Sequence, residues 1–240
     1  MPDAARPTVA VVVPVDVEPD VDRYVENVLA LAPDELIVVD AGDPPTRASL
    51  ERALQARPDA RVRLLGAPRG RAVQMNAGAC TARSDVLLFL HADTVLPPDA
   101  LERVRAAIAG GAVWGRFEVR LSGRAAAFRV IERLMNLRSA LTGIATGDQA
   151  LFVRRDAFRV LGGFPPIALM EDIELSSRLK WIAPPHRIRS PVLTSSRRWE
   201  RNGVARTVLR MWLLRGLYAL GVAPGRLAQW YNGAAWRNRR

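Results

Sequence analysis

Several groups of residues have types and spacings that can do chemistry. Asp40 follows the apolar run Ile37-Val38-Val39. A carboxylate at the end of a buried strand can accept hydrogen bonds from a base or ribose, or it can cap the turn into Ala41-Gly42. Asp93 follows Phe89-Leu90-His91-Ala92. One carboxylate there, with phosphate oxygens and water, can hold Mg2+ or Mn2+ against a diphosphate; its plainer use is to cap the turn toward Pro97-Pro98. Arg69-Gly70-Arg71 opens a helical stretch. Free backbone N–H groups and two guanidiniums make an anion site there, with Gln74 one turn on; the same residues also suit a solvated basic helix start. Glu171-Asp172, with Glu174 one turn on, starts a helix after a loop rich in Gly and Pro. One of these carboxylates can act as a general base, and all of them also suit a helix N-terminus. Arg197-Arg198-Trp199 pairs cations with a ring. It can clamp a phosphate and carry a sugar or lipid, or the Trp can be a buried anchor.

The elements that must position these residues alternate over the first 100 positions. Strands are expected at Val9 to Val13, Leu36 to Val39, Arg61 to Leu65 and Asp85 to Leu90. Helices are expected at Asp22 to Ala32, Pro45 to Ala56, Gly70 to Ala82 and Pro97 to Ala109. Short continuous apolar strands between helices predict a parallel sheet covered on both faces. Ligands then bind beyond the carboxyl ends of the strands, where Asp40 and Asp93 fall. The second half is less regular. Trp114 to Leu121 alternates Phe117, Val119 and Leu121 with Arg116, Glu118 and Arg120, as a half-exposed strand would. Ala125 to Leu141 and Glu171 to Trp181 read as helices, Ala150 to Val153 as a short strand, and Val204 to Leu220 as a long amphipathic helix. That last helix reads as core-packing or dimer-forming, or alternatively as lying on an anionic membrane. Gly78 reads as a close-packing position, Cys80 as buried packing and His186 as structural.

Composition narrows the classes. Of 240 residues, 49% are apolar and 25% charged, so the chain is globular rather than disordered. Thirty-five basic against 24 acidic residues give a net charge of +11, and Lys180 is the one lysine. Arginine forks match phosphate and carboxylate oxygens, so the charge favours phosphorylated ligands, nucleic acid or an anionic membrane face. A nucleic-acid partner is set aside because no aromatic RNA-binding pattern or zinc-finger spacing occurs. Cys80 stands alone, which excludes an internal disulfide; with two histidines it also excludes a Cys/His zinc site, leaving a hard ion held by carboxylates. No signal-peptide core and no apolar run of about 20 residues are present, so a cytoplasmic protein is expected, at most peripheral on a membrane. No repeat or linker divides the chain, and one domain over 1–240 is expected.

Each motif is weak alone, but their order resembles family 2 glycosyltransferases of the GT-A fold, in particular the radical-SAM/selenodomain-associated transferase subgroup. The resemblance covers about residues 8–232. One stretch runs from Gly70-Arg71-Ala72-Val73-Gln74-Met75-Asn76 to Leu90-His91-Ala92-Asp93-Thr94. Another joins Gly147-Asp148-Gln149-Ala150-Leu151-Phe152 to Gly162-Gly163-Phe164-Pro165 and Met170-Glu171-Asp172-Ile173-Glu174. The last is Ser195-Ser196-Arg197-Arg198-Trp199-Glu200.

The resemblance implies a Rossmann-like, mostly parallel central sheet with helices on both faces and a C-terminal helical extension. It implies a donor half at about 8–121, an acceptor and catalytic half at about 122–200, and an amphipathic helix and tail at 201–240. It further implies a nucleotide-diphosphate sugar (UDP- or GDP-linked), Mg2+ or Mn2+, and inversion at the anomeric carbon onto a small-molecule or lipid acceptor. By motif position, Asp40, Arg71, Gln74, Asp93 and Arg198 would bind the donor, and Asp93 would hold the metal. Asp172 would deprotonate the acceptor with Glu171 beside it, and Asp148, Gln149 and Trp199 would face the acceptor. Four places depart from the family pattern, the first being the loop after Asp40, which reads Ala41-Gly42-Asp43-Pro44-Pro45 where Gly, Ser and Asp are usual. His91 stands where the metal motif usually starts with an acid. Asp16 and Glu18 stand near the usual Asn-Glu pair. Ser195 replaces the Gln of processive relatives, which argues against polymer synthesis. A sugar-phosphate nucleotidyltransferase is the alternative enzyme, but Pro14-Val15-Asp16-Val17 replaces the Gly-rich loop it would need.

Overall fold

Strands and helices alternate along the first half because its apolar runs are too short for helices and are flanked by amphipathic stretches. The computed structural model describes residues 6–18, 21–56 and 58–236. In order come β1 (Val9–Val15), α1 (Val21–Leu29), β2 (Glu35–Asp40), α2 (Pro44–Ala56), β3 (Val62–Gly66), α3 (Arg71–Thr81) and β4 (Val86–Phe89). Next are β5 (Thr94–Val95), α4 (Ala100–Ala109), β6 (Trp114–Leu121) and α5 (Ala126–Thr142). A single 3-10 turn at Gly147–Gln149 leads into β7 (Phe152–Arg154), α6 (Arg155–Val160), α7 (Glu171–Ile182) and β8 (His186–Thr194). The helices α8 (Arg197–Asn202), α9 (Val204–Ala219) and α10 (Pro224–Trp236) come last.

The strands form one eight-stranded sheet in the order β3-β2-β1-β4-β7-β6-β8-β5. β1, β2, β3 and β4 are parallel. β7 is antiparallel to both β4 and β6, so β6 and its parallel partner β8 again run with β4. Alternate side chains sort to opposite faces, as strand geometry requires. Val9, Val11, Val13, Leu36, Val38 and Leu88 join α1 and α4 in one core. Ala10, Val12, Ile37, Val39, Leu87 and Phe89 join α3, α6 and α7 in the other.

The structure corrects several expectations. β1 runs through Pro14 to Val15 because β4 stops pairing at Phe89, opposite Val12, and leaves that side of β1 open. α1 ends at Leu29; Ala32, just before Pro33, turns left-handed with φ 51. Cys80 is exposed, because Ala72, Met75 and Ala79 are the positions of α3 that face the sheet. His186 is exposed at the start of β8. β6 is not half-exposed at Arg116, whose side chain is 1% accessible; burial pushes its guanidinium down to about 10. Past Gly115, β6 loses β7 as a neighbour, and α5 side chains complete the ladder. Asn136 accepts from Val119 N at 2.9 Å and donates to Val119 O at 3.0 Å, while Glu132 accepts from Leu121 N at 2.6 Å. β5, β8, α6, α8, α10 and the 3-10 turn had no counterpart in the periodicity.

Gly78 is where α3 lies closest to the sheet. A Cβ there would sit 2.5 Å from Val12 Cγ1 and 3.1 Å from Val39 Cγ2. Both neighbours are β-branched and fixed in strands, so neither can yield. Gly78→Val is expected to cost about 1–3 kcal/mol by overpacking, read as a lower urea midpoint at unchanged slope; an unchanged midpoint would show that α3 can move off the sheet.

Candidate active site

Parallel strands leave a sheet at one edge, and the candidate residues collect along it. Asp40 ends β2 and pairs in register with Val15, which ends β1, and with Gly66, which ends β3. His91, Ala92 and Asp93 come directly after β4. β7 enters the sheet from the same edge, since Phe89 N donates to Leu151 O at 2.9 Å, so the Gly147–Gln149 turn lies there as well. β8 exits there too: Ser195 N donates to Asp93 O at 3.2 Å. Glu18, beyond β1, pairs with Arg197, beyond β8, at 3.4 Å, and Arg69 pairs with Asp16. The rim is therefore tied together from its first strand to its last.

Asp40 is fully buried, and among the described residues neither of its carboxylate oxygens has a hydrogen-bond partner. Arg47 Nη1 pairs with its Oδ2 at 3.5 Å. A buried carboxylate without donors is costly, so the site suits a ligand that brings N–H or O–H groups. Gln74 lies under this rim rather than over it. Buried on α3, it donates to Val15 O at 2.7 Å and Val39 O at 2.8 Å, which joins the ends of β1 and β2. Arg71, three residues earlier, is exposed, and its charge reaches Glu171.

Asp93 is exposed, with Thr94 Oγ1 3.4 Å from its Oδ1. Tyr24 Oη is buried nearby without a partner, and its pKa is raised by burial and then by the charges of Asp93 and Glu18. The rim is thus locally negative at Asp93, as a cation site would be. Among the described residues no cluster of three His, Cys, Asp or Glu side chains could hold a metal alone.

The acidic pair heads α7. Met170, just before it, holds φ 70, and Ala150, just after the 3-10 turn, holds φ 46. Left-handed non-glycine residues are strained, and these two flank the segments that carry the candidate groups. Asp172 Oδ2 accepts from Gly147 N at 2.7 Å, and Oδ1 accepts from Ile173 N at 2.8 Å. Glu171 is buried; burial first, and then Asp172, push its carboxyl up to about 7, against a smaller pull from Arg71. A small cavity lies between His91, Gly147, Glu171, Asp172, Met75 and Phe164. Asp148 accepts from Thr146 Oγ1 at 2.5 Å. Gln149 turns inward: it is buried, and its Oε1 accepts from Thr146 N at 3.1 Å in a capping box. Trp199 is half-buried against Leu121, Phe128 and Ile131. The Arg198 side chain lies outside the described residues.

Two contributors were invisible in residue types. Gly147 makes room for His91: a Cβ there would lie 2.3 Å from the imidazole. Asn76 clamps the Gly-Gly-Phe loop, accepting from Phe164 N at 2.9 Å and donating to Phe164 O at 2.8 Å. Gly163, at φ 75, leaves space for that amide; a Cβ would lie 2.6 Å from Asn76 Oδ1.

The profile described as glycosyl transferase family 2 matches residues 10–161, and the chain belongs to this family. It is a glycosyltransferase with the GT-A fold. A mannosyltransferase, PcManGT from Pyrobaculum calidifontis, solved in complex with GDP-Man and Mn2+, superposes with a TM-score of 0.63 at 22% identity, over 92% of this chain and 67% of that one. TarS 1–349 from S. aureus superposes with a TM-score of 0.61 at 16% identity, over 79% of this chain and 60% of that one. No curated protein sequence matches the chain. The nucleotidyltransferase alternative gives way to the family assignment.

The raised Glu171 carboxyl has a consequence for stability. Unfolded, it ionises near 4.5; folded, near 7. Between those values the folded chain holds a proton that the unfolded chain has lost. Stability therefore falls as pH rises through this window, by at most about 3 kcal/mol, and is level above it. Glu171→Gln is expected to flatten this slope and to melt above the parent at pH 8. Equal slopes in thermal melts from pH 4.5 to 8 would show that Glu171 ionises as an exposed carboxyl does.

Proposed function

We propose that the chain moves a sugar from a nucleotide-diphosphate sugar to a hydroxyl acceptor by direct, inverting displacement. The observation that carries this reading is the meeting of Asp172, His91 and Gly147 on the same sheet edge as Asp93 and the buried Asp40 carboxylate, whose oxygens lack a hydrogen-bond donor among the described residues. Residues about 8–121 would hold the donor, and about 122–200 the acceptor.

Asp40 would accept N–H or O–H groups of a UDP- or GDP-type nucleoside. Arg71 would face the diphosphate from the start of α3, where the helix field favours an anion. Asp93 fits a divalent ion, Mg2+ or Mn2+: with one exposed carboxylate and no complete protein cage among the described residues, the remaining ligands would come from diphosphate and water, a usual arrangement for such ions. The complex of PcManGT with GDP-Man and Mn2+ supports both choices. When bound, the ion supplies positive charge to the departing diphosphate.

The acceptor hydroxyl is a poor nucleophile until its proton is taken. Asp172 would take it. The two backbone N–H bonds fix the orientation of its carboxylate, and the strained Met170 turn fixes its position. Glu171 lies beside it, its carboxyl pushed up to about 7 by burial and then by Asp172, so below that pH it is mostly protonated and adds little like charge next to the base. Attack opposite the leaving group inverts the anomeric carbon, and one base suffices.

A second observation favours contact with an anionic lipid surface. Residues 201–240 hold eight arginines and no aspartate or glutamate. Leu209, Trp212 and Leu213 stand exposed on α9, and Val130, Leu134, Leu137 and Leu141 on α5. Their spacing puts them on the outward side of each helix, away from Leu214 and Ile131. Like charge disfavours a second copy of the same surface; acidic lipid matches it. Among the described residues no helix is long and apolar enough to cross a membrane.

Asp172→Asn should bind nucleotide as the parent does and lose about 10²–10⁴ in turnover of its nucleotide sugar. Asp93→Ala should abolish the Mn2+ dependence of nucleotide affinity in calorimetric titration. Near-normal turnover in the first variant, or an unchanged metal effect in the second, would remove that residue from its role. Cosedimentation with phosphatidylglycerol vesicles, but not phosphatidylcholine vesicles, tests the lipid contact. Trp212→Glu with Leu213→Glu should abolish it, and equal recovery with both vesicle types would count against the surface.

A further inference from the structure

Beside the acidic pair lies a group of basic donors that donor binding leaves unused. Arg138, on α5, places Nη2 3.4 Å from Thr146 Oγ1. That hydroxyl donates to Asp148, and the next residue, Gly147, holds Asp172 through its N–H. Arg138 is therefore one short turn of backbone from the proposed base. Arg215 approaches from α9. Its neighbour Leu214 is buried against Met170, the residue before Glu171, and Tyr218, one turn on, donates to Glu174 at 2.9 Å. Arg138 feels the charge of Arg215 more strongly than that of any acid, and then the charges of Asp148 and Asp172. Burial and that repulsion lower its guanidinium to about 10.

The donors here are unmatched. Nε of Arg138, Nε of Arg215 and Nε2 of Gln149, in the same 3-10 turn, are all buried without a partner. Among the described residues neither guanidinium forms an ion pair. Two like charges held together in a half-dry place, with three idle donors, repel each other and lose hydrogen bonds. One species removes both penalties: an oxyanion, whose charge offsets the guanidiniums and whose oxygens accept from several N–H groups at once. A neutral hydroxyl would satisfy a donor or two and leave the repulsion.

We propose that Arg138 and Arg215 form an oxyanion site beside Asp172, and that the acceptor carries a phosphate close to the hydroxyl it presents. The word acceptor rests on the glycosyltransferase reading above; the anion site itself does not. The site is separate from the donor diphosphate, which would face Arg71 on α3 and the residues after β8. It selects acceptors by charge: a phosphorylated alcohol would bind and be held with its hydroxyl near the base, whereas its neutral counterpart would not. The phosphate can belong to a soluble molecule or to a lipid headgroup.

The test is calorimetric titration of the full chain with glycerol 3-phosphate and with glycerol, keeping GDP and Mn2+ present to fill the donor cleft. The phosphate ester should bind and glycerol should not. Arg138→Gln and Arg215→Gln should each weaken the ester at least tenfold, and Arg138→Lys and Arg215→Lys, which keep the charge and lose the fork, should weaken it less. The Lys variants decide the matter if a Gln variant does not melt cooperatively. Vesicles carrying phosphatidic acid separate the sources: retention that depends on both arginines, with no binding of the soluble ester, assigns the phosphate to a lipid and sustains the proposal. Equal affinity for ester and glycerol, or folded variants within twofold of the parent for both ester and vesicles, would overturn it. Asp40→Asn keeps the two readings apart. It should lose GDP binding and retain the ester. A parent chain that binds ester but no nucleotide would sink the donor reading and leave the anion site standing.

Discussion

The hydrogen bond from Gly147 N to Asp172 Oδ2, 2.7 Å long, together with the pair that Ser176 Oγ makes with Ala145 N and O, ties the turn at the sheet edge to the first turns of α7. On one side is the sheet edge, set by β4 and β7; on the other is the head of α7. Gly147 also leaves the space that the His91 ring fills, since any Cβ there would lie 2.3 Å from it. A residue without a side chain thus lets the end of β4 and the acidic pair approach each other here. The strain at Ala150 and Met170 is borne at the two ends of this junction. Relaxing either turn would move the carboxylate away from the place where β4, β7 and β8 converge.

Around this junction the charges are arranged by burial as much as by pairing. The exposed ion pairs between Arg47 and Glu51 and between Arg103 and Asp99 contribute little, being solvated and screened. The costly groups are inside: Asp40 with one long ion pair, Glu171 with its carboxyl pushed up to about 7, and Arg138 against Arg215. A fold that served only stability would not keep a buried carboxylate with one long ion pair and two guanidiniums that repel each other. Their signs are complementary to a ligand that presents donors at the β2 end and oxyanions toward α5 and α9.

The first half of the fold was legible because both faces of its sheet are covered. Apolar runs such as Val9 to Val13 and Leu36 to Val39 have one reading, and the residues at the carboxyl end of each parallel strand must emerge at the ligand edge. Asp40 and Asp93 could therefore be located from position alone. Types alone did not tell which way a side chain turns. Gln74 is spaced one turn from Arg71, yet it lies under the sheet edge because two strand-end carbonyls need its amide. Arg116 alternates like a solvent-facing residue but is buried, and α5 side chains replace the missing strand farther along β6, at Val119 and Leu121. Cys80 fitted an apolar helix, but the sheet-facing positions of α3 were already taken by Ala72, Met75 and Ala79. Contacts set by distant elements, such as His91 with Gly147 or Leu214 with Met170, leave no periodic trace.

The helices α5 and α9 carry two different features, and the combination is informative. Their inward sides contribute Arg138 and Arg215 next to the acidic pair; their outward sides carry Leu134, Leu137, Leu141, Leu209, Trp212 and Leu213 in water. Helical geometry explains how both fit: Leu137 adjoins Arg138, and Leu213 lies two residues from Arg215, about 100° per residue around the axis. A soluble acceptor would require the arginines but gives no reason for the apolar stripes. A lipid whose phosphate reaches the arginines while its chains stay in the bilayer would require both, on these same two helices. The absence of acidic residues after Glu200 is then expected, since each would repel the headgroups that the stripes approach.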